Sequence, residues 1–170
     1  ELDPEFHRVL VETTRAENQE HAVFMPESWD YLEPAGFDNA GAVTWSDEDI
    51  IRTDLPHQVL VAHTHIVADG DLAGAAIPSG YNSDTASDII PLLRDAHAQP
   101  GSPQILITTA GGLNASGDPV AIRLSVIFDE DNDSFLITAD LVNVLIEDLD
   151  RVRWLLGLEI NTALSIFNDS

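Results

Sequence analysis

The sequence predicts an α+β fold: a single domain over residues 1–170 with a mixed central sheet flanked by two or three helices. Three observations carry this. Segments with strand periodicity outnumber those with helical periodicity. They do not alternate in a strict strand–helix–strand order. The strongest of them, His57–Val67, is apolar on both faces, as expected of a central strand covered on both sides.

A first helix is expected from Asp3 to Gln19, with Phe6, Val9, Leu10 and Thr13 on one face. A short strand follows at His21–Met25 and is stopped by Pro26. Residues 27–40 are rich in turn formers and read as an irregular connection, with a strand after it at Ala42–Trp45. In His57–Val67, Val59, Val61, His63, His65 and Val67 share one face; Leu60, Ala62, Thr64 and Ile66 share the other. Residues 68–87 form a loop of small residues, longer than a compact domain uses without purpose.

A helix then runs from Asp88 to Ala98, which requires Pro91 to lie in its first turn, and Pro100–Gly101 stop it. Gln104–Thr109 reads as a strand ended by Gly111–Gly112. Val120–Phe128 and Phe135–Thr138 flank an acidic turn and read as a hairpin. A long helix is expected at Asp140–Leu156, ending at Gly157, with a final strand at Ile160–Phe167.

Composition narrows the function. The chain carries 30 acidic side chains against 7 basic ones, all Arg, for a net charge of −23. Such a charge opposes binding to nucleic acid or to an anionic membrane, because a phosphate surface needs Lys and Arg to displace its counterions. No apolar run is long enough to span a bilayer, and the first residues lack the basic-then-apolar pattern of a signal peptide. Cysteine is absent, which excludes disulfides and Cys-ligated metal sites. An acidic, lysine-free surface suits concentrated salt, where self-repulsion is screened within about 8 Å or less. A GC-rich codon bias alone also removes Lys. The expected setting is the cytoplasm of a high-salt cell.

His63 and His65 sit two apart at the end of an apolar strand, so their imidazoles point the same way. Two such nitrogens can bind one zinc ion if an acidic third ligand joins them. Asp84 and Asp88 close the polar loop that follows, and Asp88 opens a helix that would hold it rigidly. Both are also ordinary helix-capping residues, and Thr85–Asp88 matches a capping box. Upstream, Glu20 stands just before a strand, where a carboxylate could act as general base.

This order of segments resembles the JAMM (MPN-plus) zinc metalloproteases, whose pattern is a distant Glu, then H-x-H-P, then S-x-x-D. The stretch from Glu20 to Met25 looks like the Glu segment, His63-Thr64-His65 like the paired ligands, and residues 78–90 like the Ser/Asp segment. The resemblance covers about residues 5–110, leaving a C-terminal hairpin and helix at 118–170. Ile66 stands where the family has Pro, Thr85 where it has Ser, and Val23 where Gly is common. The resemblance implies zinc on His63, His65 and Asp88 or Asp84, with Glu20 as proton acceptor and a Thr85 or Ser83 hydroxyl on the oxyanion. The substrate would then be a protein or peptide, cleaved at a peptide or isopeptide bond, as in removal of a ubiquitin-like modifier from Lys.

Three other readings use the same residues. His65, Asp69 and Gly70 fit the H-x-x-x-D-G motif of condensation-type acyltransferases, which are more than twice this length. Asp129, Asp131, Asp133, Leu136 and Asp140 match much of an EF-hand loop, although Ser134 replaces its glycine and a strand pattern precedes it. A non-enzymatic assembly protein, of virion or tail-completion type and able to homo-oligomerise, is suggested by an apolar stripe of Leu141, Val144, Leu145, Leu149, Val152 and Leu156.

Overall fold

The computed structural model describes residues 11–12, 14–15, 22–25, 33–34, 60–65, 67, 70–80 and 87–169. In chain order its elements are strands β1 (Ala22–Met25), β2 (Glu33–Pro34) and β3 (Leu60–His65), then helices α1 (Leu72–Ala75) and α2 (Ile89–Ala98). Strands β4 (Gln104–Leu113), β5 (Pro119–Asp129) and β6 (Ser134–Val142) follow, with a 3-10 turn at Ile146–Asp148 and helix α3 (Leu149–Asp169) at the end. The strands form one sheet in the order β2-β1-β3-β4-β5-β6. Among the described residues only β3 and β4 run parallel, joined through α2; the other pairs are antiparallel, so the fold is α+β with a mixed sheet.

Helix α2 forms because its buried residues Ile89, Leu93 and Ala96 recur at helical spacing, and Pro91 falls in the first turn. That face packs on Leu106, Leu124, Val126 and Phe128 of the sheet and on Ala163 of α3. Each fully buried Leu or Ile there stabilises the fold by roughly 1.5–3 kcal/mol. A second cluster joins Ala73 and Ala76 around α1 to Ala110, Val120 and Ile122 of the sheet and to Val152 and Leu156 of α3. Residues 11–12 and 14–15 are helical; Val11 and Thr14 are buried, and Thr14 Oγ1 lies 2.6 Å from Thr64 Oγ1. Thr64 and His63 alternate along β3 and both are buried, so the strand is covered on both faces at this point.

Several sequence expectations need correction. The 68–87 segment is not all loop, since α1 lies within it. Strand β4 continues through Gly111 and Gly112, with an irregularity in its pairing between Thr109 and Leu113. A Cβ at Gly111 would stand 2.8 Å from both the His65 carbonyl oxygen and the Thr14 methyl, so these glycines admit close neighbours instead of ending the strand.

The boundary between β6 and α3 is also shifted. Residues 140–142 are strand, paired from Arg123↔Asp140 to Ala121↔Val142, and the chain then turns at Asn143, whose φ is 57°. Helix α3 passes through Gly157 and includes 160–167, which the sequence suggested as a strand. Val152, Leu156, Ile160 and Ala163 pack inward at helical spacing, and that burial outweighs the roughly 1 kcal/mol cost of one internal glycine. The acidic turn is a hairpin tip, with Asp129 paired to Ser134 and its carboxylate accepting from the N–H groups of Asp131 and Asn132. Since residues 134–140 are extended strand, they cannot wrap a calcium ion as an EF-hand loop does. The strand expected at 42–45 lies outside the described residues. No helix among the described residues is long and apolar enough to cross a membrane.

Candidate metal centre

His63 and His65 occupy the last turn of the pleat in β3, between antiparallel β1 and parallel β4. The two-residue period sends both rings to one face of the sheet. There His63 Nε2 lies 3.1 Å from His65 Nε2, with the ring centroids 4.8 Å apart. His63 is 2% exposed and His65 22%, so one side of the pair opens to solvent.

Asp88, at the residue before α2, brings the third group. Its Oδ2 lies 3.1 Å from His65 Nε2 and 3.4 Å from His63 Nε2. Its position is fixed by Ser79, whose N–H donates to the same Oδ2 at 2.8 Å. In return the Asp88 N–H donates to the Ser79 carbonyl at 3.0 Å, and the Ile89 N–H does so at 3.1 Å. Ser87 does the work of capping: its Oγ accepts from the N–H groups of Ile89 and Ile90 and donates to the Gly80 carbonyl. Helix α3 holds the segment from behind, with Glu159 Oε2 accepting from the Gly80 N–H at 2.8 Å.

The protonation of His65 follows from its partners. Nδ1 lies 2.9 Å from the carbonyl oxygen of Ala75, at the end of α1. A carbonyl only accepts, so Nδ1 carries the hydrogen; Nε2, turned toward Asp88, donates to that carboxylate when the ring is protonated and presents a lone pair to it when the ring is neutral. A backbone carbonyl behind a histidine is a usual support for a metal-binding ring. His63 differs, because among the described residues its buried Nδ1 has no partner. Burial would raise the Asp88 carboxyl, but the charge of His63 and the hydrogen bonds from His63 and His65 more than reverse it, holding the group well below the usual carboxylate range.

Three donor atoms thus face one another at 3.1–3.4 Å. A tetrahedral zinc ion with bonds of about 2.0–2.1 Å separates its ligands by roughly 3.3–3.4 Å. His65 Nε2 and Asp88 Oδ2 are both acceptors when the ring is neutral, so a cation, either a proton or a metal ion, is needed between them. Among the described residues, His63, His65 and Asp88 are the group able to hold a metal ion. Two imidazoles and a carboxylate are a donor set for a divalent metal ion, and the partly exposed His65 leaves one side open to solvent.

Of the residues singled out by sequence, this centre assembles His63, His65 and Asp88. Glu20, Ser83, Asp84 and Thr85 lie outside the described residues, as does Asp69 of the acyltransferase motif. In that motif His65 would act as a free base, whereas here both of its ring nitrogens face partners. Sequence reasoning missed Ala75, Ser79 and Ser87. The first two orient His65 and Asp88 through backbone groups, which leave no signature; the sequence reads Asp88 as an ordinary cap, and the structure gives that role to Ser87. Comparison with protein-family models, curated proteins and solved structures returns no match to this chain.

Proposed function

We propose that this chain is a zinc-dependent hydrolase of JAMM type that cleaves a peptide or isopeptide bond in a protein or peptide substrate. The observation that carries the reading is the meeting of His63 Nε2, His65 Nε2 and Asp88 Oδ2 at 3.1–3.4 Å, from a strand end and a helix start. The sequence order of a Glu, H-x-H and Asp supports it. Zinc bound there supplies Lewis acidity and a water acidified toward a pKa of about 7.

The remaining roles fall to the chain's own groups. Ala75 and Ser79 orient His65 and Asp88. Glu20 precedes by two residues the Ala22 that pairs with His63; in this reading it takes the proton of the attacking water and returns it to the leaving amine. A hydroxyl of Ser83 or Thr85 donates to the oxyanion.

Elemental mass spectrometry on protein purified in high salt without chelator tests the centre. Near-stoichiometric zinc, lost in both His63→Ala and Asp88→Ala, is expected, followed by cleavage of an isopeptide-linked substrate that Glu20→Gln abolishes without loss of zinc. A parent chain without zinc would overturn the reading. The alternative, a non-enzymatic assembly protein, is favoured by large apolar side chains left exposed, Ile146 and Trp154 foremost.

A further inference from the structure

Strand β6 ends the sheet, and among the described residues nothing pairs with its outer side. It is nine residues long and pairs with β5 without a bulge from Asp129↔Ser134 to Ala121↔Val142. Natural sheets usually blunt such an edge with Pro, Lys, a bulge or a covering segment. The segment Ser134–Val142 contains no Pro and no basic residue. Its single charge, Asp140, accepts from Arg123 of β5 at 3.3 Å. Leu136 is 56% exposed and Val142 39%, and Ala139, on the face turned toward the helices, is exposed as well. A long edge without a bulge, whose one charge is already paired within the sheet, is built to be paired.

The geometry points to a second copy of this chain as the occupant, joined to the first by antiparallel pairing of β6 with β6 about a two-fold axis at Ala139. A two-fold interface must be self-complementary, and this register is. On the outer face Leu136 meets Val142 of the second copy, so the two exposed apolar side chains of the strand cover each other. Thr138 meets Asp140 of the second copy, a hydroxyl opposite a carboxylate. On the inner face Ile137 meets Leu141 and Ala139 meets itself. A two-fold at Thr138 would instead set Leu136 against Asp140, and one at Ile137 would leave Val142 without a mate. The pairing joins two six-stranded sheets into one and satisfies the backbone groups of both edges.

Charge sets the conditions. Each copy carries −23, and the two Asp140 carboxylates stand diagonally at about 7–8 Å. Repulsion between copies is therefore strong in dilute salt and weak near 1 M, where the screening length is about 3 Å. The dimer is expected to form as salt rises, the opposite of an interface held by ion pairs.

Sedimentation and cross-linking test this. The mass in about 1 M salt should be that of two chains, falling toward one in dilute salt. Leu136→Lys, which adds an edge lysine opposite Val142, should return it to one chain in high salt. Because the chain has no cysteine, single cysteines report the register directly. Ala139→Cys faces its own mate across the axis at about 4.5–5.5 Å between Cβ atoms and should form a disulfide-linked dimer under mild oxidation. Leu136→Cys, whose mate lies about 20 Å along the ribbon, should not. A parent chain that stays monomeric in high salt overturns the proposal. So does a dimer that cross-links through residue 136 in preference to 139.

Discussion

Ser87 and Asp88 are neighbours that divide two tasks at the start of α2. Ser87 Oγ accepts from the N–H groups of Ile89 and Ile90, while the Asp88 carboxylate makes no capping hydrogen bond and faces His63 and His65. By sequence either residue could cap the helix, and an aspartate at such a position is more often a cap than a ligand. The helix is therefore stabilised by one side chain and the candidate metal centre completed by the next.

This division is separable by mutation. Ser87→Ala removes the cap and should lower stability by about 1 kcal/mol, measured by chemical denaturation, with zinc content unchanged. Asp88→Asn keeps the helix start and removes the carboxylate charge facing His63 and His65; if the proposed centre holds zinc, the zinc should be lost while helicity by circular dichroism is retained. The reverse pattern, with Asp88→Asn unfolding α2 and sparing zinc, would make Asp88 a structural residue.

How much was legible follows from which physical signal each feature carries. The placement of His63 and His65 on one face of a central strand comes from the two-residue period alone, whereas the sequence left Asp84 and Asp88 both open as the acidic partner and the structure brings Asp88 to the pair. The support behind them was not legible, because it comes from carbonyl and amide groups of Ala75 and Ser79 that every residue possesses. The β6–α3 boundary misled for a different reason. Leu141, Val144 and Leu145 fall by chance at helical spacing with Leu149 and Val152, while Phe135, Ile137 and Leu141 also alternate, and only pairing with β5 decides between the two periods. Gly157 looked like a helix end because its local cost is real, yet packing on both sides of it exceeds that cost.

That glycine gives a direct check. A Cβ at Gly157 meets nothing within 4 Å, and the residue lies inside the 21-residue helix α3. Gly157→Ala should therefore stabilise the chain by about 0.5–1 kcal/mol, through helix propensity and a less mobile unfolded chain. A destabilised variant in a thermal melt would place α3 differently around this point.

His63 Nδ1 and Thr108 Oγ1 are both buried without partners among the described residues, and their residues are register partners across β3 and β4. Thr108 is thus the hydroxyl placed by the sheet beside the histidine whose Nδ1 lacks a partner among the described residues. If metal binding turns it to accept from Nδ1, Thr108→Val should weaken zinc binding by about 10-fold or more. A competition titration with a coloured chelator reads this. Without metal, the same variant should be no less stable than the parent, because it removes a buried unpartnered hydroxyl. An unchanged affinity would leave His63 held by packing alone.

Asp71 ties α1 to the C-terminal helix α3. Its carboxylate accepts from the Gly74 N–H at the start of α1 and from both terminal nitrogens of Arg151 on α3, at 2.9 and 3.0 Å. The Arg151 hydrogen bonds, and then that of Gly74, hold the Asp71 carboxyl below its usual value. A carboxyl lowered in the folded state contributes stability that is fully present above its unfolded value, about 3.9, and lost as pH falls through the folded one. The stability gap between the parent and Arg151→Gln should therefore be constant from neutral pH down to about 5 and close below about 4. Both groups are nearly half exposed, so the gap should be small and shrink further as salt rises. Since α1 presents the Ala75 carbonyl to His65, Arg151→Gln should also weaken zinc binding at neutral pH, although Arg151 is not itself among the ligands. Denaturation across pH, beside zinc titration at neutral pH, separates the two effects; a gap that widens toward acid would show that the Asp71–Arg151 pair does not stabilise the fold.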